Sequence, residues 1–130
     1  MRPEAEEWLR AAEDDLEDAR ILLRAGRYAG AAFHAHQAAE KALKAAIVEL
    51  RRELPPRIHN LVRLADILGI RDEEILEALR RLNPHYRVAR YPDAANGVPM
   101  EVYSEAIASE LVLLAERVVS WVREAIASRA

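Results

Sequence analysis

The stretch from Tyr28 to Glu53 limits the fold more than any other part of this 130-residue chain. It carries Ala35, Ala38, Ala39, Ala42, Ala45 and Ala46 and meets no proline before Pro55-Pro56. Alanine has the highest helix propensity and proline cannot continue a helix, so the segment reads as one long helix that the proline pair ends. A helix with so many small side chains is stable only where neighbours approach its backbone closely. Hydrophobic residues make up 52% of the chain, but 25 of them are alanines and only seven residues are Phe, Trp or Tyr. The interior must therefore rest on Leu, Ile and Val between closely packed helices.

The rest of the chain repeats the pattern. From Glu4 to Arg24, Leu9, Ala12, Leu16, Ala19 and Leu23 recur at three- and four-residue spacing, and Ala25-Gly26 ends that first helix. Its early carboxylates suit the positive end of the helix dipole. Asn60 is an N-cap candidate for a short helix, "LVRLADIL", which Gly69 closes in a left-handed turn. Asp72 caps a fourth helix reaching Leu82, and Asn83-Pro84 stops it. After Pro99 a final helix is predicted to about Ser128, with Ile107, Leu111, Leu114, Val118, Trp121, Val122 and Ala125 on one stripe and Val112, Val119 and Ile126 widening it. There is no strand pattern and no internal repeat. The expectation is one all-α domain over residues 1–130, an up-and-down four-helix bundle with an additional short helix. The breadth of the last apolar face predicts a homodimer that buries the excess.

Composition removes several classes of function. Without cysteine there is no disulfide, thiolate metal site or Cys nucleophile. The apolar runs are far below the roughly 18–20 residues needed to cross a bilayer, and the acidic start lacks signal-peptide character, so a cytoplasmic protein with no membrane role is expected. The net charge of −3 conceals an acidic beginning and arginines gathered between Arg51 and Arg90. Binding of nucleic acid by the whole surface is disfavoured, whereas a local basic site is not. Seventeen arginines against two lysines, with one Gln and three Asn, hint at a thermophile. No P-loop, dinucleotide glycine pattern or nucleophile elbow is present.

Polar chemistry concentrates in two places. At 100° per residue, His36, Gln37, Glu40, Lys41 and Lys44 share an arc of about 140° on the second helix, away from its alanines. They form either a solvated face with ion pairs such as Glu40 with Lys44, or a groove in which Gln37, Lys41 and Lys44 receive phosphate or an acidic partner. His34 and His36 point about 160° apart on a helix, and His36 with Glu40 gives only two ligands, so no metal site is expected. His59 suits a hydrogen bond across the bundle or a place in the site. The second concentration is "HYRVARYPDAANG", residues 85–97. Arg87 and Arg90 are forked donors for phosphate or carboxylate, Tyr86 and Tyr91 are flat surfaces, and Pro92 stiffens the chain before Asp93. Such a set fits a nucleotide or nucleic-acid site. It equally fits a fastened crossover in which Arg90 pairs with Asp93 over a packed Tyr91.

Taken together, "AAFHAHQAAEKALKAAI", "PPRIHNLVRL" and "HYRVARYPDA" resemble the prokaryotic HEPN domain, and with "WLRAAEDDLEDARILLRAGRYAG" the likeness covers most of residues 8–125. The resemblance implies a helical bundle, usually dimeric, and a role beside a small nucleotidyltransferase as toxin and antitoxin. It places function at Gln37, Glu40, Lys41, Lys44, His59, Arg90, Tyr91, Pro92 and Asp93, with Arg87 alongside. These charges suit a phosphate-bearing, ATP-like ligand or an acidic groove on the partner, and no cofactor is required. Many HEPN relatives are metal-independent ribonucleases with an Arg, four to six residues and a His near the start of the last helix. There the His moves protons and the Arg stabilises charge on phosphate. Three pairs fit that spacing here: Arg27 with His34, Arg52 with His59, and Arg80 with His85. No His follows His85, so Arg80 and His85 are the only pair near the expected region. The leading expectation is a non-catalytic subunit; a ribonuclease toxin acting on RNA and a purely structural association module are the alternatives.

Overall fold

A computed structural model describes residues 1–128. The described residues are helical with no strand. Helix α1 (Pro3–Arg24) and α2 (Tyr28–Ala46) form an antiparallel pair, and Gly30 lies so close to α1 that a Cβ there would stand 3.1 Å from Leu22 Cδ1. A wider π-type turn, Ile47–Arg51, extends α2, and Arg52 then adopts a left-handed conformation with φ 55°. Short α3 (Leu61–Leu68) leads to α4 (Glu73–Leu82), and the long α8 (Glu105–Ala127) closes the bundle against α1, α2 and α4. The all-α up-and-down bundle with a short extra helix is thus the observed fold.

Local chemistry explains the boundaries. Asn60 Oδ1 accepts from Val62 N and Arg63 N, Gly69 ends α3 at φ 68°, and Asp72 Oδ1 accepts from Ile75 N. Asn83 does more than end α4: its Oδ1 accepts from Leu61 N at 2.8 Å, and its Nδ2 donates to Asn60 Oδ1, tying the two short helices together. The segment between α4 and α8 is not a plain loop. It contains three single turns, α5 (His85–Val88), α6 (Pro92–Ala95) and α7 (Pro99–Val102).

Two sequence-based boundaries shift. The second helix leaves regular α geometry at Ala46 rather than running to Glu53. The last helix begins at Glu105 rather than after Pro99, because Tyr103 is extended and the Ser104 side chain accepts from Ile107 N as a true N-cap.

Alanines of α2, including Ala31, Ala35, Ala38, Ala42 and Ala45, are fully buried and admit Leu43, Ile47, Leu79, Leu82, Val118 and Val122 to the core. Most of the broad face of α8 is consumed here: Leu111, Val112, Leu114, Val118, Val119, Val122 and Ile126 are all buried within one chain. The large apolar side chains that α8 leaves exposed are Ile107 and Leu113. Among the described residues, no helix is long and apolar enough to cross a membrane.

Candidate functional site: a polar ladder beneath the crossover

The polar arc of α2 is not a solvated face. His36, Glu40 and Lys44 are buried, because α1 covers the arc on one side and the chain around His59 and Tyr86 covers it on another. Glu40 is the hub. Its carboxylate accepts from Lys44 Nζ at 3.0 Å and from His59 Nδ1 at 3.0 and 3.2 Å, and His36 Nδ1 lies 3.9 Å away. The predicted Glu40–Lys44 pair therefore exists, but inside the protein, where removing one partner costs far more than at a surface. Lys44 also stands over the Trp8 ring, 5.5 Å from its centroid.

From Glu40 the contacts climb toward the crossover. The His59 ring stacks on Tyr86 with centroids 4.0 Å apart and planes 12° from parallel. Tyr86 meets Phe33 at 5.9 Å, and the Arg90 guanidinium lies over Phe33 at 4.3 Å. Phe33, Gln37, Glu40 and Lys44 occupy one face of α2 by helical spacing, so the ladder runs along that helix. Cation–π contact of this kind orients a guanidinium without neutralising it. Arg90 is exposed and, among the described residues, has no carboxylate partner.

The remaining residues expected at the site divide between two directions. Lys41 pairs with Asp15 of α1 at 2.6 Å, and His34 Nδ1 donates to Asp15 Oδ1 at 2.8 Å. Burial opposes ionisation of Asp15, yet the hydrogen bonds and charges of His34 and Lys41 hold its carboxyl below the usual range. Asp15, Asp18 and His34 approach one another closely enough to suggest a metal set, but the Lys41 ammonium already answers the Asp15 charge. Gln37 Oε1 accepts from His36 Nδ1 at 3.1 Å. Burial lowers the pKa of His36, partly offset by Gln37 and Glu40, and its Nε2 has no hydrogen-bond partner. In the crossover Asp93 faces Arg87 at 3.5 Å rather than Arg90, and Tyr91 is exposed, 6.0 Å from the Arg87 guanidinium, rather than packed.

Arg80 and His85 face different partners. Arg80 faces Glu73 and Glu77 on its own helix at 3.6 Å. His85 turns inward to a 2.6 Å hydrogen bond between its Nδ1 and the Tyr103 hydroxyl. Burial, aided by nearby His36, pulls the His85 pKa down to about 4, and burial pushes Tyr103 up to about 12. His85 is therefore neutral at pH 7, and its bond fastens the crossover to the residue preceding the α8 cap. Arg52 and His59 also part company: Arg52 lines a cleft near Trp8, whereas His59 belongs to the ladder.

Trp8 and Asp15 also belong to the site, although neither stands out by residue type. Both lie at helical spacing with the core stripe of α1, so an acid on an apolar stripe was the available signal for Asp15. Phe33 carried a similar signal, an aromatic residue within a polar arc.

The second helix of this all-helical bundle thus buries His36, Glu40 and Lys44 beneath an arginine-bearing crossover. The family model for the HEPN domain matches residues 5–125, and the chain belongs to that family. A Methanocaldococcus jannaschii protein named "Putative toxin MJ1304" is 28% identical over 128 residues, covering 90% of this chain and 84% of that one. The crystal structure of TT1696 from Thermus thermophilus superposes with a TM-score of 0.83 at 32% identity, covering 95% of this chain and 98% of that one. ST0689, described as an archaeal HEPN homologue, gives 0.80 at 34% identity over 97% and 99% of the two chains.

Proposed function

We propose that this protein is the non-catalytic HEPN subunit of a toxin–antitoxin-like pair and that its crossover grips an anion: a phosphate-bearing, ATP-like ligand or an acidic groove on a small nucleotidyltransferase. The observation that carries this reading is Arg90, exposed, without a carboxylate partner among the described residues, and held over Phe33 by a ladder rooted in buried Glu40. A guanidinium with its direction set in advance loses less freedom when it forms a bidentate contact to phosphate or carboxylate. Arg87 stands beside it with only a 3.5 Å contact to Asp93, which an incoming anion can replace. Lys41 and Lys44 contribute indirectly in this reading. Their ammoniums answer Asp15 and Glu40, and they support the helix from which the ladder rises.

The relative named as a toxin supports a place in such a pair. A homodimer belongs to the same proposal, supported by the exposed Val98, Val102 and Ile107 around the exit of the crossover. The test is copurification with any small nucleotidyltransferase encoded beside this chain and titration with ATP, using wild type and an Arg87→Ala/Arg90→Ala variant. A loss of tenfold or more in either interaction, with the fold retained, is expected. Binding unchanged by the double variant, or absent for both ligands in wild type, rejects the proposal.

A further inference from the structure

At the far end of α2 from Arg90 lies a second feature, which the proposed function does not use. Phe33, beneath Arg90, and Lys44 are eleven residues apart, about 16 Å along a helix. Beyond Lys44 a cleft of about 830 Å³ opens between the start of α1 and the segment that follows the π-type turn. That volume lies in the range of small-molecule sites, roughly 300–1,000 Å³.

The lining is chemically divided. The Trp8 ring, with Lys44 over it, and Pro55 give flat and apolar surface; Leu54 beside them is 92% exposed, an unusual position for a leucine. Arg52 and Arg57 supply guanidiniums that have no carboxylate partner among the described residues; Glu53, which also lines the cleft, stands 3.8 Å from Arg51. The left-handed backbone of Arg52 turns the chain out of the helix at this point, a conformation that residues with a Cβ rarely adopt without a local reason. On the α1 side stand Glu4 and Glu7, which outnumber Arg2 there and repel a negative charge. An anionic ligand is thereby oriented, with its charge toward the arginines and its body on the apolar surface.

We propose that this cleft binds a flat aromatic ring bearing one anionic group, with the ring against Trp8 and Pro55 and the anion between Arg52 and Arg57. Tryptophan and proline faces accept planar rings of many kinds, and paired guanidiniums accept carboxylate, sulfonate or phosphate. A mononucleotide and an aromatic carboxylate are the two sources of that chemistry. The site shares Lys44 with the foot of the ladder but no residue with the crossover, so a variant at Arg90 separates it from the proposed function.

The chain has only two tryptophans, Trp8 and Trp121. In a Trp121→Phe background, excitation of Trp8 should sensitise the emission of anilinonaphthalene sulfonate, an anion with a flat naphthalene ring, with saturation at one equivalent. Arg52→Gln/Arg57→Gln should weaken that binding tenfold or more while leaving the circular dichroism melt unchanged; Arg90→Ala should leave it within twofold. Displacement by AMP assigns the site to mononucleotides, and displacement by indole-3-acetate assigns it to aromatic carboxylates. The proposal is overturned if no saturable binding appears, if the double glutamine variant binds as wild type does, if Arg90→Ala abolishes binding, or if neither competitor displaces the dye.

Discussion

Replacing Glu40 by leucine tests the ladder at its root. The substitution leaves the Lys44 ammonium, whose side chain is 6% exposed, without its acceptor at 3.0 Å, and strips His59 Nδ1 of both carboxylate oxygens. An unpaired buried charge of this kind costs about 3–5 kcal/mol. For a domain of this size such a loss lowers the melting temperature by on the order of 10–20 °C. Lys44→Met removes one of the two donors to the carboxylate and leaves His59 Nδ1 in place, so its loss should be smaller, about 1.5–3 kcal/mol. The double variant, Glu40→Leu/Lys44→Met, puts apolar volume where the pair was and leaves only half-exposed His59 to find water. Its loss should be about 1–2 kcal/mol, far below the sum of the singles. Urea denaturation followed by circular dichroism measures all four corners of the cycle. Hydrogen exchange adds a second reading, because the double variant should release His59 and speed exchange of the amides from Arg87 to Ala95 while α8 stays protected. Single losses below about 1 kcal/mol, or a double loss equal to the sum, would show that the Glu40 contacts hold nothing together.

Acid should destabilise the protein before its carboxylates titrate. The folded pKa of His85, about 4, lies below the ordinary 6.5, so the contribution is complete above pH 6.5 and disappears as pH falls toward 4, where only the unfolded chain takes the proton. The loss is about 3 kcal/mol, and lowered His36 acts in the same direction; urea midpoints at pH 7 and 4.5 should show it, and His85→Gln should flatten the dependence. Asn83→Ala should cost about 1–2 kcal/mol by leaving Leu61 N without its acceptor and Asn60 without its donor, as read by thermal melting, whereas Asn83→Asp should lose less because an acceptor remains.

The parts of the fold legible in the chain are those decided within a few residues. Asn60, Gly69 and Asp72 each act on backbone groups two to four positions away, so α3 and α4 follow from their own text. The end of α2 does not. Ile47 to Glu53 are adequate helix formers, and the widened turn and left-handed Arg52 arise where the chain must swing across the bundle end. At α8, Pro99 and Ser104 both offer start signals, and the hydrogen bond from Tyr103 to His85 settles the choice by holding Tyr103 extended. The same distinction governs the site. Helical spacing brings Phe33, Gln37, Glu40 and Lys44 to one face, but nothing in sequence says that a ring from residue 59 and another from residue 86 will stack there. Nor does it say that Asp93 will face Arg87 instead of Arg90.

A buried ion pair is a poor source of stability compared with apolar side chains of the same volume, so its place beneath the crossover calls for another explanation. Each side of α2 answers a different demand. Its alanine side lets α1 and α8 approach the backbone and needs no direction, since apolar contact is not directional. Its polar side must select one arrangement of a segment built from three single turns, none of which is stable alone. Hydrogen bonds from Lys44 and His59 to one carboxylate fix the His59 ring, that ring sets Tyr86, and Tyr86 with Phe33 sets the level at which Arg90 lies. An apolar replacement can match the stability and still leave the crossover free to choose among several packings. If that account is correct, Glu40→Leu/Lys44→Met should remain folded near wild-type stability and yet lose as much partner or nucleotide affinity as Arg90→Ala does. Full affinity in that double variant would mean that Arg90 is positioned by the crossover alone and that the ladder below it serves only to fill space.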